Sequence, residues 1–462
     1  ASQVAAGGFG NLSILSNGML GFDGDLSLSL GQSLHLYAPT LVLADGAAAA
    51  TRVLLAAPYM RLAGIGAVGT GDGQIRPTVT GGMSTQAAAG TLRLAAGQLL
   101  DVRDVLTTGA HGGKERAQGL PMVLDRRAFD SVELASQGDL RFLGATVSGQ
   151  NTALNTPADL SLTAARIYPA TGANAIVRVG YLGGGSDYAQ QRLLRIGRAG
   201  TDGQAPPLPP SSAFGALTLG AAAIEQGGVL LAPLGSIVLG ASTGASMSDT
   251  RSLRFLPGSV TSVSGAGMML PYGGTADGVS WSYDGQDVSL LGAGGTYGTT
   301  ANLKVGLAMK SRAVDVLPGA VLDLSGGGQL LGAAFVAGRG GSTDARYHPL
   351  VQTRANGGFI LPELASNPVY AIVPGAQAPV APADGERGAS VPVPGQQVTI
   401  GAGVPGLPAG SYTLLPSTYA LLPGAFRIEI NGQAGIAPAA PNAMRNGSWA
   451  ASGRLSVAGT GI

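Results

Sequence analysis

Residues 313–333 read AVDVLPGAVLDLSGGGQLLGA, and apolar residues alternate with polar ones through most of this stretch. Alternation with a period of two is typical of strands that have one buried and one solvated face. Leu317–Gly319 interrupts the alternation with Leu-Pro-Gly, and three glycines follow at Gly326–Gly328. Proline fixes φ and glycine adopts positive φ, so both residues are typical of tight corners. The stretch therefore predicts short strands joined by sharp corners.

Similar stretches recur along the chain. DLSLSLGQSLHLYAPTL, from Asp25, aligns with TLRLAAGQLLDVRDVL, from Thr91, so that Gly31 matches Gly97 and the leucines around them match at the same offset. Three turns of roughly 22 residues would produce that offset, and repeats of this length indicate a solenoid. We predict an all-β chain folded as a parallel β-helix, in which each strand pairs with its counterpart one turn above. A β-sandwich is the alternative, because it also uses short alternating strands.

The composition narrows the classes of function. Lys and Arg number 27 and Asp and Glu 26 among 462 residues, so charges are sparse and nearly balanced. Such a chain lacks the clustered basic residues that neutralise phosphates, which argues against a nucleic-acid partner. The chain has no cysteine, so disulfides and cysteine-based metal sites are impossible. It starts ASQVAAGG, without Met or a signal peptide, and we expect a processed product or a fragment.

Breaks in the repeat suggest a domain organisation. Residues 1–361 are predicted to form a β-helical shaft with projecting insertions near 105–130 and 181–212. Residues 362–410 are rich in Pro, Gly and Ala and are predicted to form extended loops. Residues 411–462 are predicted to add further short strands, and we expect the full-length chain to continue beyond them.

The insertion at 181–212 is the predicted contact surface. It contains the helix-like sequence DYAQQRLLRIGR and a proline-rich exit. Its aromatic and basic side chains suit contact with glycans or proteins. A solvated helix face is the alternative explanation of the three arginines. The candidate contact residues are Tyr181, Tyr188, Arg192, Arg195 and Arg198.

Three further stretches resemble a known family: LPGSVTSVSGAGMMLPYGGTADGVSW, LPGAVLDLSGGGQLLGAAFVAGRGGS and GLPAGSYTLLPSTYALLPGAF. They are similar to the filamentous-haemagglutinin family of bacterial exoproteins, and more narrowly to an internal module of unknown function in those chains. The resemblance implies a right-handed parallel β-helix and export through an outer-membrane transporter of the two-partner-secretion type. It also implies a secreted or cell-surface location and a role in attachment or cell–cell contact. The Asn-Pro-Asn motifs of the family's secretion domain are missing, so the resemblance implies an internal shaft segment.

Motifs that could carry chemistry are weak. GIGAVG at residues 64–69 matches the dinucleotide-binding spacing, but no helical pattern follows it. GASTG at residues 240–244 matches the nucleophile elbow of hydrolases, but no α/β alternation surrounds it. The three histidines, His35, His111 and His348, lack the spacing of a metal-binding pair. We predict no catalytic residue, no cofactor and no bound metal.

These observations favour a non-catalytic structural segment of an adhesin-like surface protein, with surface glycans or proteins as possible partners. A carbohydrate-active β-helix is one alternative, and it would need carboxylates grouped on one outward sheet. Asp101 and Glu133 are the candidates for such a group, and Asp101 is predicted to face solvent and to tolerate substitution. A self-assembling filament subunit is another alternative, because terminal turns present unpaired strand edges for end-to-end association.

Overall fold

Most of the chain is described by a computed structural model. It describes all residues except 1–3, 5–6, 65–87, 110–126, 148, 182–190, 201–209, 211, 242–248, 277–279, 284–285, 288–304, 336–351, 354–358, 361–367, 376–391, 431–439, 445–447 and 458–462. Every element with assigned bounds is a β-strand except a 3-10 helix at Ser417–Leu421. The all-β prediction is confirmed.

Two large sheets hold most of the strands, and every pairing within them is parallel, unlike the antiparallel pairing of a β-sandwich. The 16-stranded sheet contains Asn11–Leu15, Leu26–Ser29, Ser33–Tyr37, Arg52–Ala63, Gly90–Arg103, Phe129–Ser136, Asp139–Phe142, Asp159–Ala164, Arg166–Pro169, Leu193–Arg198, Ala223–Gln226, Val229–Leu231, Ser252–Phe255, Val260–Ser262, Ala313–Val316 and Val321–Asp323. The eight-stranded sheet contains Met19–Phe22, Thr40–Leu43, Val105–Thr108, Thr152–Thr156, Asn174–Val179, Ala216–Gly220, Ser236–Gly240 and Gly306–Lys310.

The 16-stranded sheet consists of two runs of paired strands. The first run extends from Leu26–Ser29 to Ala313–Val316, and the second from Asn11–Leu15 to Val321–Asp323. Two long strands, Arg52–Ala63 and Gly90–Arg103, belong to both runs and join them. The register between these two strands shifts at Pro58, where proline cannot donate a ladder hydrogen bond.

Residues in register form columns that cross many strands, and apolar columns form the core. Leu34, Met60, Leu100 and Leu140 align in one such column, and each is fully buried. The inward residues of both large sheets pack into a single apolar cluster, because alternate side chains of each strand point to the same side. The alternation seen in the sequence therefore selects which residues enter the core.

The repeat is less regular than predicted. Leu34 and Leu100 do share a column, as their matching positions in the sequence predict, but Met60 is the only residue between them. The stretch of chain from Leu34 to Met60 is shorter than the stretch from Met60 to Leu100. The prediction of three equal turns between the two leucines is therefore wrong. Strand pairing fixes the positions of the strands only, so the connecting loops differ in length without disturbing the columns.

Both predicted insertions are shorter than proposed, because part of each lies in a sheet. Val105–Thr108 belongs to the eight-stranded sheet, and Phe129–Ser136 begins before residue 130. Leu193–Arg198 is a strand of the 16-stranded sheet and not part of a helix. Its buried Leu194 and Ile196 alternate with more exposed neighbours, and this period of two is that of a strand.

The chain divides into two compact units. Both large parallel sheets lie in unit 1, which contains Ala1–Leu208, Ala213–Ser264 and Val305–Gly326. Unit 2 contains Pro209–Ser212, Gly265–Lys304 and Gly327–Ile462, so the predicted boundary at residue 361 lies inside it. The strands of unit 2 are Met269–Ala276, Ser280–Tyr283, Gln286–Asp287, Gln329–Phe335, Gln352–Thr353, Phe359–Ile360, Val369–Ile372, Gln396–Ile400, Gly410–Thr413, Leu415–Pro416, Phe426–Glu429, Asn442–Ala443, Trp449–Ala450 and Gly453–Val457.

Two strands of unit 2 lie within residues 362–410, for which extended loops were predicted. Val369–Ile372 and Gln396–Ile400 are the central strands of two three-stranded sheets, and both sheets are antiparallel. Ile372, Val398 and Leu414 are buried in a common apolar cluster. Pro and Gly content alone suggested loops, but the alternating apolar residues of these strands supply a core of their own.

Candidate functional site

Of the predicted contact residues that the structure describes, Arg195 and Arg198 lie on one strand of the 16-stranded sheet, whereas Tyr181 is bonded to the eight-stranded sheet. Arg192 Nη1 lies 2.9 Å from Asp130 Oδ1 and 3.7 Å from Asp159 Oδ1. Arg198, at the end of its strand, aligns with Ala164. The Tyr181 backbone N–H donates to the carbonyl oxygen of Thr156, which lies in the other large sheet. Tyr188 lies outside the described residues.

Arg195 belongs to an outward column of the first run, which we call the outer charge ladder. Its charges alternate in sign along most of the column. Arg93 Nε lies 3.4 Å from Glu133 Oε2, Arg195 Nε lies 3.2 Å from Glu225 Oε2, and Arg254 Nε lies 3.9 Å from Asp315 Oδ2. In order along the sheet, the column contains Arg93, Glu133, Ser161, Arg195, Glu225, Arg254 and Asp315.

The outer charge ladder stabilises the alignment of the strands in the sheet. Cross-strand pairs of opposite charge favour one register, and like charges directly opposite each other would disfavour it. Because these side chains are partly or largely exposed, each pair adds only about 0.2–1 kcal/mol. Glu133, a candidate residue for the carbohydrate-active alternative, belongs to one of these pairs, with Arg93.

The second run carries a more deeply buried polar group, which we call the Asp101 cluster. It occupies two neighbouring outward columns at strands from Ser33–Tyr37 to Arg166–Pro169. One column contains His35, Arg61, Asp101, Arg141 and Tyr168, and the other contributes Tyr59, Asp139 and Arg166.

Asp101 is the centre of the cluster and is 0% exposed. Arg141 donates to it from two atoms, with Nε 2.8 Å from Oδ1 and Nη2 3.1 Å from Oδ2. The Tyr59 hydroxyl donates to Oδ2 at 2.9 Å, and Arg61 Nη2 lies 3.8 Å from the same oxygen. A two-point arginine–carboxylate pair of this kind is among the strongest charge-assisted contacts in proteins.

Asp139 repeats this arrangement one strand further along. Arg166 donates from Nε to Oδ1 at 2.8 Å and from Nη2 to Oδ2 at 2.6 Å, and the Tyr168 hydroxyl donates to Oδ2 at 2.8 Å. Burial, and secondarily the adjacent carboxylate, raises the pKa of Tyr168 well above its usual value. The same causes raise the pKa of Tyr59, so both hydroxyls stay protonated and act as donors.

The burial of Asp101 corrects the prediction that it faces solvent and tolerates substitution. It does lie on the side of the strand opposite Leu100, but that side is covered at this position. The sequence does carry a signal for this cluster. Charged or tyrosine residues occupy alternate positions in four short segments, Tyr59–Arg61, Asp101–Arg103, Asp139–Arg141 and Arg166–Tyr168, and their signs are complementary across strands.

His35 lies at the less buried end of the Asp101 cluster. Its ring packs edge-on against Tyr59 and Tyr37, with centroids 5.4 and 6.0 Å apart. Its Nδ1 lies 3.4 Å from the Tyr37 hydroxyl, and its Nε2 is buried with no partner among the described residues. Burial, and secondarily the charge of Arg61, lowers the pKa of His35, so the folded chain holds a neutral ring.

We expect His35 to make stability fall as the solution is acidified. Its folded pKa lies below its unfolded value of about 6.5, so the unfolded state binds more protons in this range. Stability should be full above about pH 6.5 and should decline as the pH falls below it. Urea unfolding of wild type and His35→Asn between pH 7.5 and 5 measures this difference. An identical pH slope for the two proteins would contradict the assignment.

The hydrogen bonds of the Asp101 cluster run between neighbouring strands. Both oxygens of Asp101 and of Asp139 accept hydrogen bonds from neighbouring strands. Neither carboxylate has the exposed surface on which a polysaccharide could bind, because they are 0% and 5% exposed. Asp101 therefore links three strands of the second run, and Asp139 links two.

The remaining motifs have structural explanations where they are described. Gly64 opens the dinucleotide-like motif, and a Cβ there would collide with the backbone of Val105. Gly240 has φ of +87°, and a Cβ there would meet the carbonyl oxygen of Lys310. Residues 65–69 and 242–244, which complete the two motifs, lie outside the described residues.

The described part of the chain contains no group of three or more His, Asp or Glu side chains that could hold a metal ion. No helix in that part is long and apolar enough to cross a membrane.

Comparisons with known proteins provide no relative for this chain. It matches no known family model, no curated protein and no solved structure.

Proposed function

We propose that this chain is a non-catalytic structural segment, a right-handed parallel β-helix that forms part of the shaft of a secreted bacterial surface protein. The observation that carries the proposal is the set of in-register columns in unit 1. One column begins at Leu26 and continues through nine strands to Val314 without a missing member. Parallel strands that return repeatedly to the same column are what a coiled chain produces.

The charged residues support a structural role. Charged residues pair with each other within the outer charge ladder, and likewise within the Asp101 cluster. Each pair joins strands that a β-helix would place in successive turns. A binding or catalytic surface would instead leave such groups without protein partners and available to a ligand. In this proposed role, the charged pairs hold successive turns in register.

The biological setting rests on the resemblance to filamentous-haemagglutinin exoproteins. It leads us to propose export through an outer-membrane two-partner-secretion transporter and a location outside the cell. The proposed role is attachment or cell–cell contact, with surface glycans or proteins as partners.

A carbohydrate-active enzyme is the second candidate. Asp101, Arg61 and Arg141 lie on adjacent strands of one outward face, which is an arrangement such an enzyme would use. This candidate requires Asp101 to become accessible to a substrate, because the carboxylate is fully buried.

An activity and adhesion experiment distinguishes the two candidates. The whole chain is incubated with a panel of neutral and anionic polysaccharides, and new reducing ends and unsaturated products are measured. In parallel, beads coated with folded chain and beads coated with heat-unfolded chain are washed over epithelial and bacterial cell layers. We expect no cleavage, and more adhesion by the folded chain. Cleavage that is lost in Asp101→Asn would favour the enzyme, and equal adhesion by both bead types would contradict the attachment role.

A further inference from the structure

The Asp101 cluster carries more positive than negative charge in the described part of the chain. It contains three arginines and two carboxylates, namely Arg61, Arg141, Arg166, Asp101 and Asp139. His35 adds no charge at neutral pH, because burial lowers its pKa. Arg103 and Asp104, which follow Asp101 in the chain, cancel each other's charge. One arginine of the cluster therefore has no carboxylate of its own.

Arg61 is the unmatched arginine. Arg141 and Arg166 each donate from two side-chain atoms to one carboxylate, at distances of 2.6–3.1 Å. Arg61 Nη2 lies 3.8 Å from Asp101 Oδ2, which is too long for a hydrogen bond. Arg61 also contacts the Tyr37 hydroxyl, and its Nε has no hydrogen-bond partner among the described residues. Its positive charge is therefore only partly compensated within the cluster.

The Arg61 side chain is also the most accessible of the three. It is 27% exposed, compared with 4% and 14% for the other two arginines. Its strand, Arg52–Ala63, has a parallel neighbour on each side at this position, because Arg61 aligns with both His35 and Asp101. A ligand would therefore reach Arg61 across the outward face of the sheet, and not at a free strand edge.

Aromatic and hydroxyl side chains lie beside Arg61 on the preceding strand of the sheet. The outward positions of that strand are Ser33, His35 and Tyr37, and all three are partly exposed. The rings of His35 and Tyr37 pack edge-on, with centroids 6.0 Å apart. Ser33 Oγ donates to Asn11 Oδ1 at 2.7 Å, which leaves its oxygen available to accept a hydrogen bond. An aromatic ring and an acceptor next to a cation suit a sugar that carries an acid group.

We propose that Arg61, Tyr37 and Ser33 form a binding site for an acidic glycan, one whose sugar carries a carboxylate. This site would serve the proposed attachment role, on which the assignment rests, and it names the class of glycan. Guanidinium N–H groups match a planar carboxylate, and the bound carboxylate would supply the negative charge that the cluster lacks. The Tyr37 ring packs against the sugar, and Ser33 accepts a hydrogen bond from a sugar hydroxyl.

Isothermal titration calorimetry of the whole chain tests the class of ligand. Sialyllactose and a hyaluronan tetrasaccharide, which carry carboxylates, are each compared with their methyl esters, which keep the sugar but lose the charge. We expect at least one acid to bind at least about tenfold more tightly than its ester. Equal affinity of both acids and their esters would overturn the proposal. Binding of sulfated lactose but of neither acid would overturn it too, because the site is assigned to a carboxylate.

Single variants test the location of the site. Arg61→Gln should weaken binding of the preferred acid at least about tenfold. Arg93→Gln makes the same change in the outer charge ladder, and its affinity should stay within about twofold of wild type. Tyr37→Ala should weaken binding at least about threefold, because the ring contacts the sugar. Circular dichroism shows whether each variant is folded, and Tyr37→Ala decides the question if Arg61→Gln does not fold. Unchanged affinity in a folded Arg61→Gln or Tyr37→Ala variant would overturn the proposal.

The bead experiment separates failure of this site from failure of the attachment role. A wild-type chain that binds neither acid, although beads coated with folded chain adhere to cells, would overturn the acidic-glycan site and leave the attachment role intact. Tight binding of an acid that is lost in Arg61→Gln would support the site even if the coated beads failed to adhere, and the attachment role alone would then be contradicted.

Discussion

Replacing Asp101 by alanine should lower the free energy of unfolding by about 3–5 kcal/mol. The substitution removes the carboxylate that binds Arg141, whose side chain is only 4% exposed. The arginine charge then stays buried without compensation, and the Tyr59 hydroxyl loses its acceptor. Urea unfolding followed by circular dichroism at neutral pH measures the loss.

Two further variants separate this effect from a general loss of surface charge. Glu133→Ala removes a carboxylate from the outer charge ladder, and it should cost no more than about 1 kcal/mol because that pair is exposed. Replacing both partners, with Asp101→Leu and Arg141→Met together, should recover much of the loss, since the buried Arg141 charge is removed as well and Arg61, the other arginine beside Asp101, is partly exposed. If Asp101→Ala were as mild as Glu133→Ala, Asp101 would not be buried in solution.

Leu55→Asp should be as damaging as Asp101→Ala or more so. Leu55 is 3% exposed and lies in the core cluster. The change forfeits about 1.5–3 kcal/mol of apolar burial and leaves a carboxylate without a partner, which costs several kcal/mol more. We expect a marked fall in the urea midpoint. Proteolysis should first cut near Arg52–Ala63, because strands in a repeat contact mainly their neighbours.

The adjacent residue is the matched control. Leu54 is 39% exposed on the other side of the same strand and aligns with Arg93. Leu54→Asp makes the same chemical change beside a basic side chain, and it should alter stability by no more than about 0.5 kcal/mol. Equal damage from the two substitutions would mean that the strand is not oriented as described.

The sequence predicted the pattern of strands well because that pattern is local. Alternation at Leu26, Leu28, Leu34 and Leu36 depends only on neighbouring residues, and all four lie in the core or pack against it. Loop lengths could not be predicted in the same way. The aligned segments at Asp25 and Thr91 suggested three equal turns, but pairing tolerates loops of very different length.

Leu193–Arg198 shows where local reasoning failed. Its arginines at intervals of three suggested a helix face, yet Leu194 and Ile196 enter the core of a sheet. Burial against neighbouring strands outweighs the weak helical preference of so short a segment. Arg195 then lies opposite Glu225, a partner 30 residues away in the chain.

The sequence by itself determined that the chain is all-β, which side of many strands is apolar, and where tight corners interrupt them. These properties follow from side-chain chemistry and backbone preferences within a few residues. Only the tertiary structure decided that Asp101 is buried, that it binds Arg141 from a distant part of the chain, and that Arg195 belongs to the outer charge ladder. The reason is physical: an outward position on a strand can face water or be enclosed by side chains of neighbouring strands, and its alignment with a distant charge depends on every loop between them.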